Sequence, residues 1–156
     1  MIYDIAPPIS EKLAVWPGDS PPRREVLFDM TRGDNITLST LHGTVHLGAH
    51  ADAPSHYGKD APAIDECALD DYLGPCQVIR VAARRGQGIG PGDIQVPIEA
   101  ARILLATGTF PDPTHFNEDF AFLTPPLVEY FHDQGVHLVG VDTPSVDQFT
   151  SQELPV

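Results

Sequence analysis

Between His42 and His56 the chain reads His42-Gly43-Thr44-Val45-His46-Leu47-Gly48-Ala49-His50-Ala51-Asp52-Ala53-Pro54-Ser55-His56, placing four of its seven histidines in one short run. Within it His46, His50, Asp52 and His56 follow an H-x3-H-x-D-x3-H spacing. Imidazole nitrogen and carboxylate oxygen are the preferred ligands of catalytic zinc and related divalent ions, and a catalytic site needs three of them plus an open position. That chemistry restricts the backbone. Fully extended, His46 and His56 would lie about 33 Å apart at ~3.3 Å per residue, whereas ligands must each approach one ion to about 2.0–2.2 Å. The segment must therefore turn. Gly48 permits the backbone conformations a turn needs, and Pro54 biases Ala53 away from the α region and prevents one long helix.

One helical turn would align His46 with His50, and a short extended piece would put Asp52 on the same side. The expectation is that His46, His50 and Asp52 bind a metal ion at a strand-loop-helix junction. His42 precedes the regular spacing and reads as a supporting or structural residue. His56 reads either as a fourth ligand, which would close the site and mark a structural ion, or as an acid/base beside the metal. His115, His132 and His137 match no ligand spacing, and His132 is expected on the solvent side of a helix.

A length of 156 residues with 42% apolar and 20% charged residues predicts one folded domain over 1–156 with a sizeable core. Nine Lys+Arg against 22 Asp+Glu leave a formal charge of −13, which opposes attraction to phosphate backbones and anionic lipid, so neither nucleic acid nor membrane is an expected partner. Two cysteines, Cys67 and Cys76, make no disulfide framework and no Cys-rich zinc spacing, and a reducing cytoplasm is the expected location. The start, Met1-Ile2-Tyr3-Asp4, lacks the basic and apolar regions of a signal peptide, and no run reaches the ~18–20 apolar residues that span a bilayer.

The 16 prolines and 13 glycines predict many short elements joined by fixed turns. Ala6 to Pro22 reads as a pinned loop around Trp16, the single tryptophan, as a cap over the core or as a wall of a binding site. Strands are predicted over Glu25–Thr31 and Asn35–Val45, with Ile36, Leu38 and Thr40 on one face, and buried strands over Cys76–Ala83, Arg102–Thr107 and Val136–Val141. Pro125 to Gln134 has proline at the start, Leu127, Val128 and Phe131 on one stripe, and Gly135 at the stop, which predicts a helix. A second short helix is expected within Gly92–Ile98, and Tyr57–Pro75 reads as loop or short helix. The pattern is mixed α/β, with more strand than helix. No G-x-S-x-G nucleophile elbow and no G-x-G-x-x-G between strand and helix occur, which disfavours a serine hydrolase triad and nucleotide cofactors.

The run His46 to His56 resembles the H-x-G-[TA]-H-x-D-x-P-x-H signature of the metal-dependent cyclase/hydrolase family, and among its members the bacterial kynurenine formamidases (arylformamidases). The resemblance extends to Asp4-Ile5-Ala6-Pro7-Pro8-Ile9-Ser10, Val15-Trp16-Pro17-Gly18-Asp19, Leu73-Gly74-Pro75-Cys76 and Gly140-Val141-Asp142-Thr143-Pro144-Ser145, so it covers essentially the whole chain. It implies a swivelling β/β/α fold, usually in homodimers or larger assemblies. It implies Zn2+ as cofactor, one ion or two, with Mn2+ as the alternative, bound by His46, His50 and Asp52. His56 would be the general acid/base, and Trp16 would line the pocket for an aromatic substrate.

The implied activity is hydrolysis of an aryl formamide, N-formyl-L-kynurenine, to L-kynurenine and formate in tryptophan catabolism. The alternatives are hydrolysis of another cyclic amide or lactone such as isatin, and an inactive metal-binding paralogue. The resemblance also implies a further His and Glu downstream of Asp142–Ser145. The sequence stops at Leu154-Pro155-Val156 before either, so the expected domain lacks its C-terminal portion.

Overall fold

The structure, a computed structural model, describes residues 4–156; Met1 to Tyr3, part of the stretch read for leader character, lie outside the described residues. The chain forms two compact units, Met1–Ala51 with Asp112–Phe116, and Asp52–Pro111 with Asn117–Val156.

In the first unit, β1 (Arg23–Phe28) pairs antiparallel with β2 (Leu38–His42), and the register slips between Val26 and Phe28 so that Phe28 faces Leu38. Both strands are shorter on the loop side than the sequence suggested, because Asp29 competes with the ladder. Its carboxylate accepts from the Thr31 amide at 2.9 Å and hydroxyl at 2.7 Å, opening a 3-10 turn over Met30–Arg32 that closes at Gly33 with φ 97°. Of Ile36, Leu38 and Thr40, expected on one face of the strand, Ile36 precedes it, and all three residues are exposed. Among the described residues each strand here has a single partner, and every residue of β1 is exposed. In the proline-rich loop Leu13 is buried, and Trp16 meets Phe116 edge-on with ring centroids 5.5 Å apart.

The second unit is built on a parallel sheet in the order β3 (Gln77–Arg80), β5 (Arg102–Ala106), β7 (Leu138–Val141), accompanied by the short parallel pair β4 (Gly88–Ile89) and β6 (Phe122–Leu123). Central β5 sends Ile103 and Leu105 into the core, where they join Leu127 and Phe131 of helix α2 (Pro125–Asp133). Complete burial of each such side chain is worth about 1.5–3 kcal/mol. The helix matches its sequence signature at both ends, with prolines in the first turn and Gly135 at φ 77° just beyond the last.

Two expectations are corrected. Cys76–Ala83 is not a strand buried on both faces: among the described residues β3 is an edge of the sheet, and one face is covered while the other is open, so Ile79 is buried and Val78 exposed. Gly92–Ile98 forms no α-helix; a 3-10 turn spans Pro91–Asp93, where the Asp93 carboxylate accepts from the Gly90 amide at 2.8 Å. Tyr57–Pro75 is loop with one short helix, α1 (Leu69–Tyr72), after a 3-10 turn at Ile64–Glu66.

At the C-terminal ends of β5 and β7 the Asp142 carboxylate gathers the chain. It accepts from the Thr107 amide at 3.0 Å, the Thr107 hydroxyl at 2.6 Å and the Gly108 amide at 2.8 Å. The Thr109 hydroxyl then lies 2.8 Å from that of Thr107 and accepts from the Ala121 amide at 3.0 Å. Parallel sheets characteristically present their functional loops at this end of the strands.

Candidate metal centre

The segment after β2 turns as the ligand argument demanded, by a different device. No helical turn joins His46 to His50; the backbone bends, with Gly48 in the left-handed region at φ 65°. A single αL residue reverses the chain without i to i+4 hydrogen bonds, and glycine adopts it without a Cβ penalty. His46 is half-buried, His50 and Asp52 are exposed, and the three offer ligand atoms that all lie within 4.8 Å of one another.

Two observations test whether these residues suit a metal. His46 Nδ1 and His50 Nε2 are 3.1 Å apart. Two nitrogens each bound at about 2.0–2.1 Å would show that separation at an angle of roughly 95–102°. In addition, His50 Nδ1 donates to the Gly48 carbonyl oxygen at 2.8 Å, which leaves the Nε2 lone pair directed at the cluster. Metal-binding imidazoles characteristically secure their other nitrogen on a carbonyl or carboxylate in this manner. The residues fit the ion.

The surroundings are polar. The His46 amide donates to the Thr44 hydroxyl at 3.2 Å. The Thr44 side chain and the Ser20 amide hold the Asp19 carboxyl below the usual carboxylate range, and the neighbouring His46 adds to that. His42 belongs to the hairpin: its Nε2 lies 2.8 Å from Glu25 Oε2 across the strands.

His56 falls outside the three-residue cluster and closes the 3-10 turn Pro54–His56. That turn starts from an extended Ala53 (φ −82°, ψ 157°), as the proline after it requires. The His56 ring meets the Tyr57 ring edge-on, centroids 4.7 Å apart. The Tyr57 phenol is pushed up mainly by burial and then by the charge of Asp147, with a smaller contribution from Asp52, against an opposing hydrogen bond with the Ser145 side chain. Asp147 itself is buried, its Oδ1 accepts from the Val156 amide at 3.2 Å, and its Oδ2 has no partner among the described residues; burial pushes its carboxyl up. Sequence reasoning singled out neither residue. Tyr57 carried one usable signal, an amphipathic ring directly after the last histidine of the motif, whereas nothing local distinguishes Asp147 from other acidic residues.

Comparison with known proteins identifies relatives of this chain. The Cyclase family profile matches residues 3–148. A kynurenine formamidase of Bordetella pertussis is 35% identical over 98% of this chain and 74% of its own length, and that of Bordetella petrii is 36% identical with the same coverage. A solved structure described as a potential metal-dependent hydrolase with cyclase activity superimposes with a TM-score of 0.79 at 24% identity, covering 98% of this chain and 72% of that one. Another, described as a predicted metal-dependent hydrolase from Bacillus stearothermophilus, gives 0.77 at 25% identity, covering 98% and 73%. The chain, mixed α/β and strand-rich, belongs to the Cyclase family and has the fold of its metal-dependent hydrolases.

Proposed function

We propose that this protein hydrolyses N-formyl-L-kynurenine to L-kynurenine and formate, using a metal ion held by His46, His50 and Asp52. The observation that carries the metal-dependent part is the convergence of those three ligand atoms; relatives named kynurenine formamidase support the substrate. A divalent ion, Zn2+ or Mn2+, supplies when bound the means to lower the pKa of water to about 7 and to polarise a carbonyl oxygen.

The chain's residues do the rest. His46 and His50 present neutral nitrogens and Asp52 an anionic oxygen, a donor set suited to such an ion. His56 takes a proton from the attacking water. The water oxygen bonds to the formyl carbon, the carbon–nitrogen bond breaks, and His56 returns the proton to the departing aryl amine nitrogen. An imidazole serves both transfers because its ordinary pKa lies near neutral pH. Trp16 lines the pocket for the substrate's aromatic ring. The working protein is a homodimer or larger homo-oligomer in the cytoplasm, acting on a small molecule within a single domain.

Steady-state turnover of N-formyl-L-kynurenine by zinc-loaded protein tests the proposal. Turnover abolished by a chelator, and a His56→Ala variant with reduced kcat and unchanged zinc content, are the expected results. Inactivity toward this substrate with turnover of isatin would refute the substrate. Unchanged zinc content in both His50→Ala and Asp52→Ala would refute the ligand set.

A further inference from the structure

We propose that Gly48 is a positioning residue for the metal centre: its left-handed backbone turns the chain so that His50 comes beside His46, while its carbonyl oxygen, accepting from His50 Nδ1, selects Nε2 as the nitrogen His50 presents to the ion. This rests on the ligand reading of His46, His50 and Asp52 given above.

A carbonyl oxygen only accepts. With 2.8 Å between it and His50 Nδ1, that nitrogen carries the ring hydrogen, and in a neutral imidazole the lone pair is then on Nε2. Nε2 is the atom that lies 3.1 Å from His46 Nδ1, inside the ligand cluster. Were the hydrogen on Nε2 instead, it would point at His46 Nδ1 and leave that end no lone pair for an ion, and the Nδ1 lone pair would face the Gly48 oxygen. The tautomer therefore follows from a contact two residues away along the chain.

The approach of His50 Nε2 to His46 depends on the backbone at Gly48, which lies between the two histidines. Its φ of 65° sets the direction in which the carbonyl and His50 together follow on from His46, and this is a conformation L side chains rarely adopt. Crowding is not the constraint: a Cβ at Gly48 would meet Leu13 Cδ2 at 3.5 Å and Ile9 Cγ1 at 3.7 Å, both ordinary van der Waals distances. Glycine is thus required for its φ and not for its size, which separates two substitutions of similar bulk near the backbone. Alanine has no means of favouring the left-handed region, whereas asparagine visits it with local hydrogen bonding.

The test is zinc affinity, measured by competition with a chromophoric chelator at neutral pH, on wild type, Gly48→Ala and Gly48→Asn, together with the long-range 15N–1H imidazole spectrum of the metal-free proteins. Gly48→Ala should bind zinc about 10–100-fold more weakly, a loss of the size seen when the groups that orient a ligand are disturbed. Gly48→Asn should stay within about threefold of wild type. His50 should appear as the Nδ1–H form in wild type and in Gly48→Asn. Wild-type affinity in Gly48→Ala, equal losses in both variants, or an Nε2–H form of His50 in wild type would each overturn the proposal. If Gly48→Ala fails to fold, Gly48→Asn decides alone: retained affinity with the Nδ1–H form supports it, and lost affinity in a folded protein overturns it. Absence of zinc binding by wild type would instead refute the ligand set, a failure visible before any variant is compared.

Discussion

Replacing Asp142 by alanine should unfold the second unit at markedly lower temperature. The carboxylate takes the Thr107 amide, the Thr107 hydroxyl and the Gly108 amide at 2.6–3.0 Å. Hydrogen bonds to a charged group contribute about 1.5–3 kcal/mol each when the orphaned partner stays dry, and much less when water replaces the lost acceptor. Gly108 is exposed and recovers most of its bond from water, and the Thr107 hydroxyl keeps the Thr109 hydroxyl at 2.8 Å. The Thr107 amide, on a residue only 9% exposed, has no such recourse.

The sum is a loss of about 3–5 kcal/mol, most of it from Thr107. For a chain of this size each kcal/mol shifts Tm by roughly 2–4 °C, so the expected fall is about 6–20 °C in a calorimetric melt. Asp142→Asn keeps one acceptor oxygen and should lose about half as much. Thr107→Val should cost less in the Asp142→Ala background than alone, because both changes break the same bond. A Tm for Asp142→Ala within roughly 2 °C of wild type would show that the carboxylate is not what joins these strand ends.

Two further perturbations probe the core and the buried acid. Leu127→Ala empties a fully buried position between α2 and the sheet and should lower stability by about 2–5 kcal/mol, read in urea as a lower midpoint with unchanged slope; a change under about 0.5 kcal/mol would contradict the assigned core. Asp147 is held above its ordinary value of 3.8 by burial, so the folded state keeps its proton to higher pH than the unfolded chain does. The stability tied to that proton is complete below about pH 3.8 and is lost as pH rises through the folded value. Asp147→Asn should remove this fall from the urea-unfolding profile above pH 3.8, and parallel profiles for variant and wild type would refute the assignment.

The centre was more legible than the scaffold around it. His46, His50 and Asp52 were recognisable because metal chemistry specifies residue types, and the distances they must bridge specify a turn; Gly48 and Pro54 then marked where the backbone bends. The same logic misjudged how it bends, since a helical turn and a left-handed glycine bring residues four apart to one place with different hydrogen bonding. Helix α2 was legible for a comparable reason: its prolines, its stripe of Leu127 and Phe131 and its terminal Gly135 are all local signals.

What the amino-acid sequence determined by itself, then, is the candidate donor set, the turn that gathers it, and the elements whose period and end residues are contained within a few positions. Tertiary structure alone decided that β3 is an edge among the described residues, that His42 serves the hairpin by reaching diagonally to Glu25, that Asp142 ties β5 to β7, and that Tyr57 shares its surroundings with Asp52, Ser145 and Asp147. Each of these depends on partners distant in the chain. Whether a strand is buried on both faces, or a carboxylate finds an amide, is set by which segments the fold brings beside it, and no local pattern encodes that neighbour.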